Sequence, residues 1–481
     1  MKLFILIFSI MMASVAQAEM KVEFKISKMH GFFDFLETIS GQPHHSDVIL
    51  KVFQDSKYNT PELEPIINDL RTSKEAMPGF YFNRYPKSRT LGSDLETILN
   101  IQSIFSNDLN DFSSRMLGLL PISDHAKYFS AAKKLLPIYE KLIWNPSLSD
   151  LKKYREKLLK VSKKAKLDEL FMLAVKFYGA EWPKEQAFVI SLYPTPGTKG
   201  GTSSTSLGAA ESVGVMMSDN DAEGTFGVVF HELCHSLYQA QPVDFKYQLE
   251  KMFLSHHSIY SPHAYDLLNE GLATVLGNGY AEKMATGKLN SHKWYNNPYI
   301  DGFAKAIYPM VEDYLQKGKT IDQVFINKSV GLLESAMPQS IYEYDNFFQW
   351  VYVLQGGGVI KRTAVRNAFY KNFRVNSWSS HDPMDSAEVV TDAPLSHHTL
   401  LTVYAHSEVG QLQMLSEKIP YLKAHYQELK SKSENYIFSG LDAKGRAYVF
   451  IQIAKEEDFQ KALETLKTKK KINLEQPFIT F

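Results

Sequence analysis

The chain of 481 residues balances 53 Lys and Arg against 53 Asp and Glu, which excludes the basic footprint of a nucleic-acid binder and an electrostatically held membrane partner. Its 44% hydrophobic and 13% aromatic content excludes wholesale disorder. A lone cysteine, Cys234, excludes an intrachain disulfide, so the fold holds by packing, and by metal if one binds.

Residues 1–18 read as a secretory signal peptide. Met1-Lys2 is a basic start, residues 3–12 are almost wholly apolar, and Ala16-Gln17-Ala18 is a small-x-small cleavage site. No later stretch is long and apolar enough for a membrane span. The mature chain is therefore expected to be exported, periplasmic or secreted, without a membrane anchor.

Residues 19–180 predict a helical N-terminal lobe of roughly six or seven helices. Thr60-Pro61 supplies a cap followed by proline in the first helical position. Ser147-x-x-Asp150 predicts a capped helix start, running to about Lys166, and residues 167–178 continue the helical period. His44-His45 reads as a loop pair, because adjacent side chains diverge on any regular element.

A catalytic region is expected over residues 181–375. Residues 187–193 predict a strand, 194–208 a Pro-, Gly-, Ser- and Thr-rich loop, and 211–217 a second strand. A strand beside a reactive site can take an extended peptide as an added strand. Ser218-Asp219-Asn220-Asp221 offers N-caps for the next helix. That helix carries His231-Glu232-x-x-His235. Positions four apart lie about 40° apart on one helical face, so both imidazoles can reach one tetrahedral metal. Glu232 sits one step round, placed to take a proton without ligating. Cys234 inside this motif reads as a small buried hydrophobe. Asn269-Glu270-Gly271-Leu272-Ala273 opens another helical stretch, with Glu270 35 residues beyond His235. Glu211, on the strand before the active helix, is a candidate anchor for a free substrate amine.

The two stretches together resemble the gluzincin metallopeptidases of the peptidase-MA-like group, whose signature is H-E-x-x-H followed by N-E-G-L-A. The resemblance covers roughly residues 187–323 and implies a zincin-like catalytic region. It implies that His231, His235 and Glu270 hold one Zn2+ ion, with Glu232 as general base and a peptide or protein as substrate. Such proteins often carry an acidic residue four after the ligand Glu, orienting a zinc-bound His; this chain has Thr274 there. Pro298-Tyr299-Ile300-Asp301-Gly302 resembles the segment that supplies an oxyanion-stabilising phenol, which makes Tyr299 a second catalytic candidate, with Tyr308, Tyr342 and Tyr344 as competitors. His256, His257 and His263 read as solvated loop histidines.

Residues 342–354 and 361–373 predict helices separated by Gly356-Gly357-Gly358. Residues 376–398, which include His397-His398, read as a linker. From residue 399 to 481 the order strand, helix, strand, strand, helix, strand predicts a small ferredoxin-like α+β module, with Asp442-Ala443-Lys444-Gly445 as its hairpin turn. The whole predicts an α+β, predominantly helical protein: an exported zinc metallopeptidase. An exported zinc-binding scaffold without turnover is the rival, and it has no use for the non-ligating Glu232.

Overall fold

The computed structural model describes residues 21–41, 46–73, 95–197, 202–219, 221–356, 358, 360–381 and 399–481. The segment read as a signal peptide, His44-His45 and most of the expected linker, with His397-His398, lie outside the described residues. Within them the protein is α+β and predominantly helical, with two mixed sheets.

The first sheet contains β1 (Val22–Ile26), β2 (Phe188–Thr195), β3 (Ser203–Leu207) and β4 (Ala210–Met216), in the order β1-β2-β4-β3. β1 and β4 run parallel to β2, and β3 runs antiparallel to β4 at the edge. The strands expected at residues 187–193 and 211–217 are present, but β1 and β3 correct two expectations. β1 lies where helix alone is predicted; Val22, Phe24 and Ile26 alternate with charged residues, the period of a strand. β3 lies inside the expected loop, because Ser203-Ser204-Thr205-Ser206 has no apolar face to announce a strand.

Helices 28–39 and 95–178 pack around this sheet, with the helix Leu95–Phe105 at Val189 on one face and the helix Leu167–Tyr178 at Phe188 on the other. Phe32, Phe33 and Phe35 are fully buried and meet Tyr139, Phe112 and Phe53 in turn; each such ring stabilises by about 1.5–3 kcal/mol. The helix Ile122–Tyr139 continues through a π-helical turn into Asn145–Ala165. No helix starts at Ser147, because Pro146 falls in a first turn that the preceding helix already supplies. The predicted end is right: Lys166 is left-handed, at φ 57°, and the next helix is Leu167–Tyr178.

The second sheet holds β5 (Trp350–Gln355), β6 (Ser377–His381), β7 (Thr399–Ala405), β8 (Tyr436–Leu441), β9 (Ala447–Ile453) and β10 (Phe478–Thr480). Their order is β10-β8-β9-β7-β5-β6. The strand and helix sequence expected from residue 399 is present, but the sheet order departs from a ferredoxin-like unit. There the last strand would lie beside the first; here β10 pairs with β8, and β5 takes the place beside β7. Residues 350–355, expected as helix, are thus a strand. Val351 and Val353 face one apolar layer with Val365, Phe369 and Phe459. Tyr352 and Leu354 face the other, with Leu412 and Leu422. A strand buried on both sides shows no alternation in its sequence. Tyr344, Phe347 and Phe348 join the same core, so the module's core begins near residue 344 instead of 399.

Candidate metal centre

The helix Ala222–Gln239 starts at Asp221, whose carboxylate accepts the Gly224 N–H at 2.8 Å. Phe226, Val229, Phe230, Leu233 and Leu237 bury one face, and this fixes the direction in which His231 and His235 project. The helix Ser261–Thr274 carries Glu270 and runs into a π-helical turn, Val275–Ala281. Gly277 in that turn touches the first helix directly: a Cβ there would stand 2.6 Å from His231 N. The two helices are held together main chain to main chain.

This contact brings together the residues that the two motifs offer. His231 Nε2 and His235 Nε2 lie 3.0 Å apart, and the Glu270 carboxylate reaches them at 3.5 and 3.6 Å. Ligand atoms about 2.0–2.1 Å from a tetrahedral ion stand roughly 3.3 Å from one another, so the donor set suits zinc. His235 Nδ1 meets Asn269 Oδ1 at 3.1 Å, a bond that places the proton on Nδ1 and leaves the Nε2 lone pair facing the cluster. Among the described residues, His231 Nδ1 has no protein partner, nor does the buried Thr274 hydroxyl, so none of them replaces the expected acidic orienter. Glu270 keeps 29% of its side chain exposed, which leaves the centre open on one side.

Glu232 also lies within 4.8 Å of both imidazoles, which raises the question of which glutamate is the third ligand. Glu270 spans both Nε2 atoms with its two oxygens, whereas Glu232 Oε2 is committed to the Ser206 N–H on β3 at 3.0 Å. Glu270 is the better ligand. The charges divide the same way. Burial alone would raise Glu270, but hydrogen bonding to His231 and the charges of His235 and His231 bring it down to about 2. Burial, opposed by His235, holds Glu232 above the usual carboxylate range and makes it the stronger proton acceptor.

The phenol at the centre is Tyr295, which sequence reasoning missed. Its ring stacks on His231 with centroids 5.7 Å apart and planes 16° from parallel, and its hydroxyl is directed at Glu270. Burial and that carboxylate push its pKa up, so it stays a neutral donor. Tyr299 is placed elsewhere: its hydroxyl donates to Glu343 at 2.6 Å. The helix from Pro298 turns Tyr299 away, while Tyr295 sits in the loop before it. Of the competitors, Tyr308 donates to Glu312 and Tyr344 to Ser439.

Glu211 differs from its expected role. It is fully buried, one oxygen accepts from the Ser204 hydroxyl and the other has no partner. Burial first, then the charge of Glu232, raises it well above the carboxylate range. It is a neutral acid behind Glu232, with no face toward a substrate amine. His263 is likewise no solvated loop residue; it is buried and meets the Gly445 carbonyl of the second module at 3.0 Å. Cys234 is buried and free, as expected. A separate cleft at the β1 edge, lined by Glu23, Lys25, Phe105 and Arg155, holds none of the cluster's residues. Comparison of the chain with family models, curated proteins and solved structures gives no match.

Proposed function

We propose that this protein is a zinc-dependent metallopeptidase of gluzincin type, exported to the periplasm or the medium, that hydrolyses peptide bonds. The observation that carries the reading is the meeting of Glu270 with both imidazoles at 3.5 and 3.6 Å, with Glu232 held apart by Ser206. His231, His235 and Glu270 would hold the ion. A zinc ion so held supplies Lewis acidity, polarising a carbonyl and making water easier to deprotonate.

The chain's own groups supply the rest. Glu232, desolvated and close to both imidazoles, takes a proton from the attacking water and returns it to the leaving amine. Tyr295 offers a neutral hydroxyl to the negative charge that develops on the carbonyl oxygen. Among the described residues β3 is an edge strand, unpaired on its outer side, and its Ser206 N–H bonds Glu232. An extended peptide added to that edge would pass the base. A scaffold that only holds metal would need no desolvated carboxylate beside its ligands.

The test is zinc analysis of the purified protein, followed by digestion of a mixed peptide library. One zinc per chain and cleavage are expected. Glu232→Gln should keep the zinc and lower turnover by roughly a thousandfold or more; unchanged cleavage in that variant would remove Glu232 from the base role.

A further inference from the structure

Among the described residues, the second module reaches toward the cluster through Arg374. Arg374 lies between the helix Arg362–Asn372 and β6, next to the buried Phe373. Its guanidinium stands over the ring of Tyr295, 5.6 Å from the centroid, and Tyr295 is the residue stacked on His231.

The segments carrying these two residues are clamped by one buried amide. Gln349 Oε1 accepts from the Asn376 side chain at 3.0 Å and from the Asn297 side chain. The Gln349 carbonyl accepts the Asn376 N–H at 2.8 Å. Gln349 and Asn297 are 1% and 2% exposed, so the clamp is sheltered from water. Asn297 is two residues past Tyr295, and Asn376 two past Arg374. The clamp fixes the main chain beside Arg374; the residue itself is exposed and its guanidinium is paired with no carboxylate among the described residues.

A guanidinium placed beside a reactive centre, with no acidic partner among the described residues, presents a planar fork of donors whose best-matched ligand is a carboxylate. Resting on the peptidase reading, we propose that Arg374 is a specificity-determining residue that anchors a substrate carboxylate, so that the preferred peptides carry negative charge close to the cleaved bond. The carboxylate comes from the peptide's free C-terminus or from an acidic side chain, and both offer the same two oxygens.

The probes are three peptides: acetylated hexaalanine with a free C-terminus, the same peptide amidated, and the amidated peptide with one central alanine replaced by glutamate. Binding is measured by calorimetry on metal-free protein and on zinc-loaded Glu232→Gln protein, and cleavage on the unaltered enzyme. At least one charged peptide should bind roughly tenfold or more tightly than the neutral one. Arg374→Gln should erase that preference, and Arg374→Lys should restore part of it. Tight binding of the free acid alone identifies a chain-end anchor; tight binding of the glutamate peptide identifies a side-chain anchor.

Equal binding of all three peptides would overturn the proposal, as would a charge preference that survives Arg374→Gln. A loss of cleavage in Arg374→Gln that is equal for charged and neutral peptides would also overturn it, leaving Arg374 as a support for Tyr295. Charge-selective binding without cleavage of any peptide would sink the peptidase reading and leave the anchor standing.

Discussion

Two regions of the protein bury a histidine near carboxylic acids, and they use the imidazole in opposite ways. In the N-terminal lobe His30 is 1% exposed, and both ring nitrogens are taken, by Ser103 at 2.8 Å and Ser212 at 2.6 Å. Burial brings His30 down to about 3, and one turn on, burial and then Glu37 raise Asp34 to about 7. Burial pushes both of these groups toward their neutral forms. At the metal centre, Nε2 of His231 and of His235 face each other and Glu270 instead of a hydroxyl, and Glu270 is driven toward its charged form. Burial alone therefore does not mark a site. Convergence of lone pairs on one partly open point does.

The comparison breaks most easily at Glu270. Glu270→Ala should leave the two imidazoles without their carboxylate, abolish stoichiometric zinc and reduce peptide cleavage to background. Full zinc occupancy by elemental analysis would show that the convergence is accidental. Tyr295→Phe is a finer cut. It should keep zinc and lower kcat by roughly 10- to 100-fold, while Tyr299→Phe, whose hydroxyl serves Glu343, should leave kcat close to normal. A kcat loss confined to Tyr299→Phe would reverse that assignment.

On the lobe side, His30→Ala should cost about 2–4 kcal/mol of stability in urea unfolding, from the cavity and the lost hydrogen bonds to Ser103 and Ser212, without changing zinc content. Asp34→Asn should have the smallest effect and one that depends on pH. The folded protein holds the Asp34 proton up to about pH 7, against an ordinary value of 3.8. The native state thus binds the extra proton between those values, and stability falls as pH rises through that window. The variant should lose this slope and melt a few degrees above the parent at pH 8, but not at pH 4. Melting curves with the same pH slope in both proteins would place the Asp34 carboxyl in water.

Much of the centre was legible in the sequence because its two motifs are local. His231, Glu232 and His235 occupy one helix, and Glu270 announces itself by the residues around it. The N-cap cluster ending at Asp221 and the close of the helix at Ala165 are also local features. What the sequence concealed was set by distant partners. β1 is five residues long, and its partner β2 begins at Phe188. β3 is an edge strand of serines and threonine with little apolar surface. β5 is apolar on both faces, so its pattern suits a buried helix turn as well as a strand. Tyr295 belongs to no motif; it reaches the cluster only because the loop before Pro298 folds back onto His231. Tyr299 fitted a family segment, but its contacts belong to Glu343.

The approach of Gly277 to His231 has a consequence for ion choice. No side chain lies between the two main chains at that point, so their spacing cannot be readjusted by rotamer changes. The gap spanned by the imidazoles and the carboxylate is inherited from backbone dimensions. Calcium, with bonds of about 2.3–2.6 Å and six to eight oxygen ligands, would need the helices to spread, whereas a small ion that takes four partners fits the spacing as built. In the proposed centre, size selectivity would then be a property of a glycine that touches no metal.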